Sequence, residues 1–163
     1  MVIIQNKKMN RLVFSGILVL FLSSFCFSSL DTEPVSNWTE YKTIEGVKIE
    51  YIFKECNSEL VYNQTLVLFR FTNTTDKSLN VNWKLKIYRD GICYNCNTLD
   101  REESLKELHL NAGEVFVGDC SSKVDKRGYV FSHFNDKSPG MSDSILTDFE
   151  FLEFNVINLW WKV

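Results

Sequence analysis

Four cysteines that follow the amino-terminal segment are the residues best suited to chemistry: Cys56, Cys93, Cys96 and Cys120. Cys93 and Cys96 are separated by only two residues, Tyr94 and Asn95. A thiolate can bind a metal or exchange with a disulfide, and two thiols can be oxidised to a structural bridge. The even number of cysteines is therefore compatible with three chemistries: structural disulfides, a tetrahedral zinc site and a redox-active pair.

Structural disulfides are the favoured interpretation, because the amino terminus predicts export and disulfides persist in oxidising compartments. A Cys56–Cys120 bridge would close a long loop, and Cys93–Cys96 would be the second bridge. Four cysteines allow three pairings, however, and the sequence does not choose among them. Each bridge would contribute about 2–4 kcal/mol to the free energy of unfolding.

The two other cysteine chemistries have less support from the surrounding sequence. Structural zinc sites usually combine two closely spaced pairs, whereas Cys56 and Cys120 are each isolated. A Cys-x-x-Cys pair after a strand is similar to the thioredoxin family, in which a helix start lowers the pKa of the first thiol. The β-α-β pattern that accompanies that motif is missing here. We therefore predict no metal and no cofactor, and we keep a redox pair of Cys93 and Cys96 as an alternative.

The remaining polar residues do not form a recognisable catalytic set. His109 and His133 are the only histidines, and they lack the spacing of metal ligands. The sequence contains no Gly-x-Ser-x-Gly, phosphate loop or dinucleotide fingerprint. We predict that the protein is not an enzyme.

The amino terminus is typical of an export signal. Basic residues up to Arg11 precede the apolar run 12–22, and the small residues Ser28 and Ser29 follow. This pattern predicts a signal peptide at 1–28, with Met9 as an alternative start. The apolar run is shorter than the roughly 20 residues that span a bilayer, so we expect no membrane span in the mature chain. The expected location is secreted or periplasmic, in the cell envelope.

Length and charge limit the class of protein further. The chain has 163 residues, enough for one domain, and a formal net charge of −3. Without the three basic residues of the predicted signal, 15 basic residues remain against 21 acidic ones, a net charge of −6. Because an acidic chain repels phosphate backbones, we expect no nucleic-acid partner.

The elements that must position the cysteines are predicted strands, organised around the stretch from Leu79 to Cys96. From Leu79 to Ile87 apolar residues alternate with polar ones, which predicts a strand with one buried face. The Asp90–Gly91 pair then predicts a sharp turn, because glycine tolerates positive φ. Further strands are predicted near 47–54, 65–72, 108–110, 115–117, 129–134 and 147–156, with a short helical turn near 100–105.

Three of these segments have additional features. The nearly continuous apolar run 65–72 predicts a strand that is buried on both faces. The strands at 108–110 and 115–117, joined by a glycine-bearing loop, predict a hairpin. The apolar phase slips between Phe151 and Leu152, which predicts a β-bulge in the last strand.

About seven short strands with few helical patterns predict an all-β fold, an antiparallel two-sheet β-sandwich. The predicted organisation is a signal peptide at 1–28, a linker at 29–45 and the sandwich domain at 46–163. If neighbouring strands alternate in direction, all four cysteines fall at one end of the sandwich.

Two stretches, FTNTTDKSLNVNW and LHLNAGEVFVGDC, resemble parts of small exported immunoglobulin-like domains. In those domains a polar turn joins two core strands and a Gly-Glu loop closes a later hairpin. The resemblance covers roughly residues 65–120 and implies an immunoglobulin-like fold rather than an activity. It departs from antibody domains, where two core cysteines face a central tryptophan, because the cysteines here fall at strand ends while Trp83 lies in mid-strand.

The functional expectation is a disulfide-tied, non-catalytic binding module. Its partner would be an extracellular or periplasmic protein or a glycan, bound through loops at the end that carries the cysteines. Tyr94 and Asn95 are the predicted ligand-binding residues, since a bridge between Cys93 and Cys96 would hold them in place. The alternatives are a thiol-disulfide redox protein and a purely structural envelope protein.

Overall fold

The computed structural model describes residues 37–58, 61–121, 125–136 and 139–158, and the structural statements below concern those residues. The predicted signal peptide and residues 29–36 of the predicted linker lie outside this range. The described chain is all-β, with no α-helix. Two short 3₁₀ turns occur in it, at Cys96–Thr98 and Glu102–Ser104.

The strands form two antiparallel sheets. In chain order they are β1 (Thr39–Ile44), β2 (Val47–Ser58), β3 (Val61–Asn73), β4 (Leu79–Arg89), β5 (Ile92–Cys93), β6 (Lys106–Leu110), β7 (Val115–Val117), β8 (Tyr129–Phe134) and β9 (Leu146–Asn158). The first sheet has the order β1-β2-β3, and β7 and β8 both pair with β3. In the second sheet β4 pairs with β9 along its length, and with β5 and β6 on its other side. The predicted all-β, antiparallel, two-sheet architecture is confirmed.

Strand β1 lies within the segment 29–45 that the sequence analysis assigns to a linker. It pairs with β2, and its Tyr41 ring packs 5.1 Å from that of Phe151 in the second sheet. The Tyr41 hydroxyl also accepts a hydrogen bond from the N–H of Phe151 at 3.4 Å. Residues 39–44 are therefore part of the first sheet. The sparse apolar residues of this edge strand explain why the sequence does not mark it as a strand.

The hairpin predicted at 108–117 is wrong. β6 pairs with β4 in the second sheet, whereas β7 pairs with β3 in the first. The turn between them does form, with Glu114 N–H donating to Asn111 O at 3.0 Å, but it carries the chain from one sheet to the other. Leu110 and Phe116 thus enter the core from opposite sheets. A cross-sheet connection and a hairpin have the same alternating sequence pattern, so the pattern does not distinguish them.

One hydrophobic core lies between the facing sides of the two sheets. Trp83 of β4 is at its centre, with only 1% of its surface exposed. Its ring centroid lies 4.8 Å from that of Phe71 in the first sheet and 6.2 Å from that of Phe151 in the second. Because rings of this size fill the space between two sheets, they fix the distance at which the sheets pack.

The outer face of the first sheet carries a second, smaller apolar group, here called the outer cluster. Most of its members lie on β2, β3 and β8, while Trp38 precedes β1 and Cys120 follows β7. The members are Trp38, Ile52, Cys56, Leu66, Leu68, Cys120, Tyr129 and Phe131. Strand β3 therefore has apolar contacts on both faces, as its continuous apolar run predicts.

β7 and β8 lie one after the other along the same edge of β3. Gly118 N–H donates to Phe69 O at 2.8 Å, and Phe69 N–H donates to Gly128 O at 2.9 Å. The chain therefore leaves the sheet after Gly118 and returns to the same level at Gly128. A Cβ atom on Gly118 would lie 1.9 Å from the Gly128 carbonyl oxygen, so this crossing requires glycine.

The predicted irregularity in the last strand is also present. The register of β9 against β4 shifts between the pairs Lys84↔Leu152 and Asn82↔Asn155, which leaves an extra residue in β9. Glu153 at this position has a φ of 49°. This is the β-bulge that the slip of apolar phase near Leu152 indicates.

Candidate functional site

The four cysteines form two pairs at disulfide bonding distance. The Sγ atoms of Cys56 and Cys120 are 1.97 Å apart, and those of Cys93 and Cys96 are 1.96 Å apart. Of the three pairings that the sequence leaves open, this is the one the structure contains. The four cysteines among the described residues are thus all at disulfide distance from a partner.

The two disulfides lie toward the same end of the sheets but on opposite sides of the first sheet. Cys56 is opposite Gln64 in the register of β2 and β3 and belongs to the outer cluster. Cys93 is opposite Tyr88 near the end of β4, in the second sheet. The sequence places all four cysteines at one end, but the first sheet separates them into an outer-face bridge and a loop bridge.

Cys93–Cys96, here called the cysteine loop, extends the pairing of β4 beyond the end of β6. The Asn95 side chain makes the hydrogen bonds that the backbone of a neighbouring strand would make with β4. Its Oδ1 accepts a hydrogen bond from the N–H of Ile87 at 2.8 Å, and its Nδ2 donates to Leu85 O at 2.7 Å. The N–H of Tyr94 donates to Ile87 O at 2.8 Å. Because both ends of the Asn95 amide are occupied by backbone, this side chain positions the loop rather than facing a ligand.

Tyr94, the other predicted ligand-binding residue, faces solvent with 72% of its surface exposed. The guanidinium of Arg89 lies 5.4 Å from its ring centroid, within cation–π distance. Two further apolar residues are exposed near the same turn: Ile92, which is opposite Arg89, and Ile145, which is bonded to the backbone of Asp90. Tyr94 is therefore the aromatic member of an exposed apolar surface.

A cleft of about 550 Å³ opens beside Tyr94, between β4 of the second sheet and β8 of the first. Leu85, Ile87 and Val130 form an apolar floor, and Lys106 and Lys126 are among the polar residues that line it. The volume is in the range of roughly 300–1,000 Å³ that is typical of ligand sites. The wall contributed by residues 126–131 was not identified from the sequence, because nothing local to it indicates that β8 lies across from the cysteine loop.

Arg89 holds the two walls of the cleft together. From the end of β4 its guanidinium donates to two backbone carbonyls of β8 on the other wall, Phe131 O at 2.6 Å and Ser132 O at 3.0 Å. It also donates to Ser144 O at 3.2 Å, in the segment that leads into β9 of its own sheet. Within the described residues no carboxylate lies within 4 Å of it. The charge of Arg89 is therefore stabilised by carbonyl dipoles, and its side chain is a fixed link between the sheets.

Neither His109 nor His133 lines this cleft: His109 bonds to Asn80, and His133 to Ser132. In the part of the chain that the structure describes, no three His, Cys, Asp or Glu side chains are grouped to hold a metal ion. Nor does that part contain a helix long and apolar enough to cross a membrane. No known protein family, curated protein or solved structure matches the chain.

Proposed function

We propose that the protein is an exported, disulfide-tied binding module that contacts an extracellular or periplasmic protein or glycan through the cleft beside the cysteine loop, without catalysis. The observation that carries this proposal is the exposed Tyr94 ring at the mouth of an apolar-floored cleft. Tyrosine is enriched among the residues that dominate binding energies.

The fixed geometry of the cleft supports a binding role. The disulfide Cys93–Cys96 closes the cysteine loop, and the Asn95 amide bonds that loop to the backbone of β4. The Arg89 guanidinium bonds the end of β4 to the backbone of β8. Ordering a loop on association costs free energy, so a loop that is already ordered binds more tightly for the same contacts.

The proposal includes an immunoglobulin-like sandwich that follows a signal peptide at 1–28. Its support is the path of the chain: β3→β4 and β8→β9 both cross between the sheets, with β3 beside β8 and β4 beside β9. Immunoglobulin domains place strands B and E together in one sheet and C and F in the other, with B→C and E→F crossing between them. The two disulfides support an oxidising, extracellular or periplasmic compartment.

A thiol-disulfide enzyme using Cys93 and Cys96 has weaker support. Such enzymes lower the pKa of the first thiol at the start of a helix. Here Cys93 ends the two-residue strand β5, and Cys96 begins only a three-residue 3₁₀ turn. Without that helix start, the Cys93–Cys96 disulfide is better suited to holding the cysteine loop in place than to thiol-disulfide exchange.

The proposal is tested by probing the purified, oxidised protein against arrays of glycans and of peptides. Tyr94→Ala should weaken every specific interaction at least about tenfold, because a central aromatic contact contributes about 2 kcal/mol or more. Val117→Ala is the matched control: Val117 is an exposed apolar residue on β7, outside the cleft. Specific binders that are lost with Val117→Ala but not with Tyr94→Ala, or the absence of any binder, would refute the proposal.

A further inference from the structure

The side-chain amide and the aliphatic hydroxyls of the cleft are already bonded to backbone groups. The Asn95 amide bonds on both sides, and the hydroxyls of Thr98 and Ser104 lie 2.6–3.0 Å from backbone carbonyl oxygens of their own loop. Arg89 donates to three carbonyls. A neutral sugar, which needs donors and acceptors in matched arrays, finds few of either among these groups.

Four polar side chains of the cleft remain available to a ligand, and two of them are cationic. Within the described residues, neither the Lys106 nor the Lys126 ammonium makes a hydrogen bond or an ion pair. The Tyr94 and Tyr129 hydroxyls make no hydrogen bond there either. All four groups can donate a hydrogen bond, and the two lysines, which are charged, cannot accept one.

Two carboxylates at or near the cleft, those of Glu103 and Asp125, are paired with arginines. Glu103, the one acid among the described residues that line the cleft, lies 3.3 Å from the guanidinium of Arg101. Asp125, an acid close to Lys106, is ion-paired with Arg127, which lowers the pKa of Asp125. The cleft is therefore positive in a chain whose net charge is −3. Such a local field attracts anionic ligands.

The arrangement of charge and apolar surface selects one type of anion. The lysines line the same cleft as the apolar floor of Leu85, Ile87 and Val130. An extended peptide presents alternate side chains in opposite directions, so a segment that alternates acids with apolar residues can meet both surfaces at once. We infer that the cleft binds an acidic peptide segment that carries apolar side chains, displayed by another protein. This inference rests on the proposed function and names the class of its partner.

Fluorescence anisotropy with two synthetic peptides tests the inference directly. One is a labelled hexapeptide of alternating Asp and Leu, and the other has Lys in place of each Asp. The oxidised protein should bind the acidic peptide at least about tenfold more tightly than the basic one. The affinity should fall as salt rises from about 20 to 150 mM, because exposed charges are then screened. Equal affinity for both peptides would overturn the inference.

Charge-reversal variants locate the site. Lys126→Glu, in an exposed position, should lower the affinity for the acidic peptide about tenfold, and Lys106→Glu should lower it by a similar factor. Thermal unfolding of the Lys106→Glu variant checks that β6 is intact. Lys42→Glu is the control, since Lys42 lies on β1 at the opposite edge of the first sheet. Equal effects of Lys126→Glu and Lys42→Glu on the affinity for the acidic peptide would contradict a peptide site here. So would equally tight binding of glutarate, a small dicarboxylate without a peptide backbone.

The outcome also separates this inference from the proposed function. If the protein does not bind the acidic peptide but binds array ligands of another class in a Tyr94-dependent way, the inference is wrong and the proposed binding function is retained. If nothing binds in a Tyr94-dependent way, both are wrong.

Discussion

The side-chain amide of Asn95 pairs with the backbone of Ile87, at 2.8 Å from the Ile87 nitrogen to Oδ1, in the position that a neighbouring strand would occupy. β6 ends its pairing with β4 at Trp83↔Lys106, so β4 would otherwise have an unpaired edge at this level. One side chain thus closes the sheet edge and sets the direction in which the adjacent Tyr94 faces. The structure of the cysteine loop and the exposed surface around Tyr94 depend on the same residue pair.

Asn95→Ala should destabilise the protein by about 1–3 kcal/mol, because it leaves the Ile87 N–H and the Leu85 C=O without partners. Tyr94→Ala should change the free energy of unfolding by no more than about 0.5 kcal/mol, since Tyr94 is exposed. Urea denaturation measures both, and hydrogen exchange at the Ile87 amide should accelerate only in Asn95→Ala. Equal stability of the two variants would mean that the Asn95 amide is not a strand substitute.

The two disulfides should contribute unequally to stability. Chain-entropy arguments give about 4 kcal/mol for Cys56–Cys120, with a sequence separation of 64, and about 2 kcal/mol for Cys93–Cys96, with a separation of 3. The paired substitution of Cys56 and Cys120 by Ala also removes contacts from the outer cluster. Urea denaturation of both double variants should show the larger loss for Cys56/Cys120. A reversed order would contradict the structural role given to that bridge.

Gly128→Ala should be strongly destabilising, since its Cβ would lie 2.6 Å from the backbone of Gly118 and neither backbone can move without breaking the pairing of Phe69. Gly91→Ala is the matched control. Its Cβ meets open space, and only its φ of 79° opposes the change, which costs about 1–2 kcal/mol. Thermal unfolding should show a clearly lower midpoint for Gly128→Ala than for Gly91→Ala. Similar midpoints would show that the two glycines do not cross as described.

The carboxylate of Glu50 should make stability depend on pH. Hydrogen bonding to Arg70 at 2.7 Å, reinforced by Lys48 at 2.9 Å, lowers the pKa of Glu50 from its ordinary 4.5. A depressed folded-state pKa stabilises the protein above the unfolded pKa, and this contribution is lost as pH falls through the folded value.

Glu50→Gln tests this assignment, because it removes the charge and keeps the shape. It should reduce the free energy of unfolding by about 2 kcal/mol at pH 7, and by progressively less below pH 4.5. Urea denaturation of both proteins between pH 7 and pH 3 gives the comparison. A difference that stays constant over this range would contradict the lowered pKa.

Alternating apolar residues predicted the strands well, because half-buried strands leave a period of two in the sequence. The same pattern did not reveal that β6 and β7 lie in different sheets, since a pattern of burial does not specify a partner. Nor did it reveal that Asn73 is buried, because Asn73 belongs to a polar stretch that resembles an exposed turn. Asn73 is 1% exposed, and its Nδ2 donates to the carbonyls of Lys77, Leu110 and Asn111.

The candidate site was predictable only in part. The spacing of Cys93 and Cys96 pointed to Tyr94 and Asn95. Of these, Tyr94 is exposed beside the cleft, whereas the Asn95 amide is bonded to the backbone of β4. The opposite wall, from Lys126 to Phe131, comes from a segment some 30 residues farther along the chain. Only the pairing of β8 with β3 brings that wall to the cleft.

The most direct test of the cleft as the binding site is amide chemical-shift mapping of the ¹⁵N-labelled protein with the tightest array ligand. The largest shifts should fall on the cleft residues, including Ile87, Lys106 and Val130. Shifts centred instead on the outer face of the second sheet, around Asn80 and His109, would contradict the account.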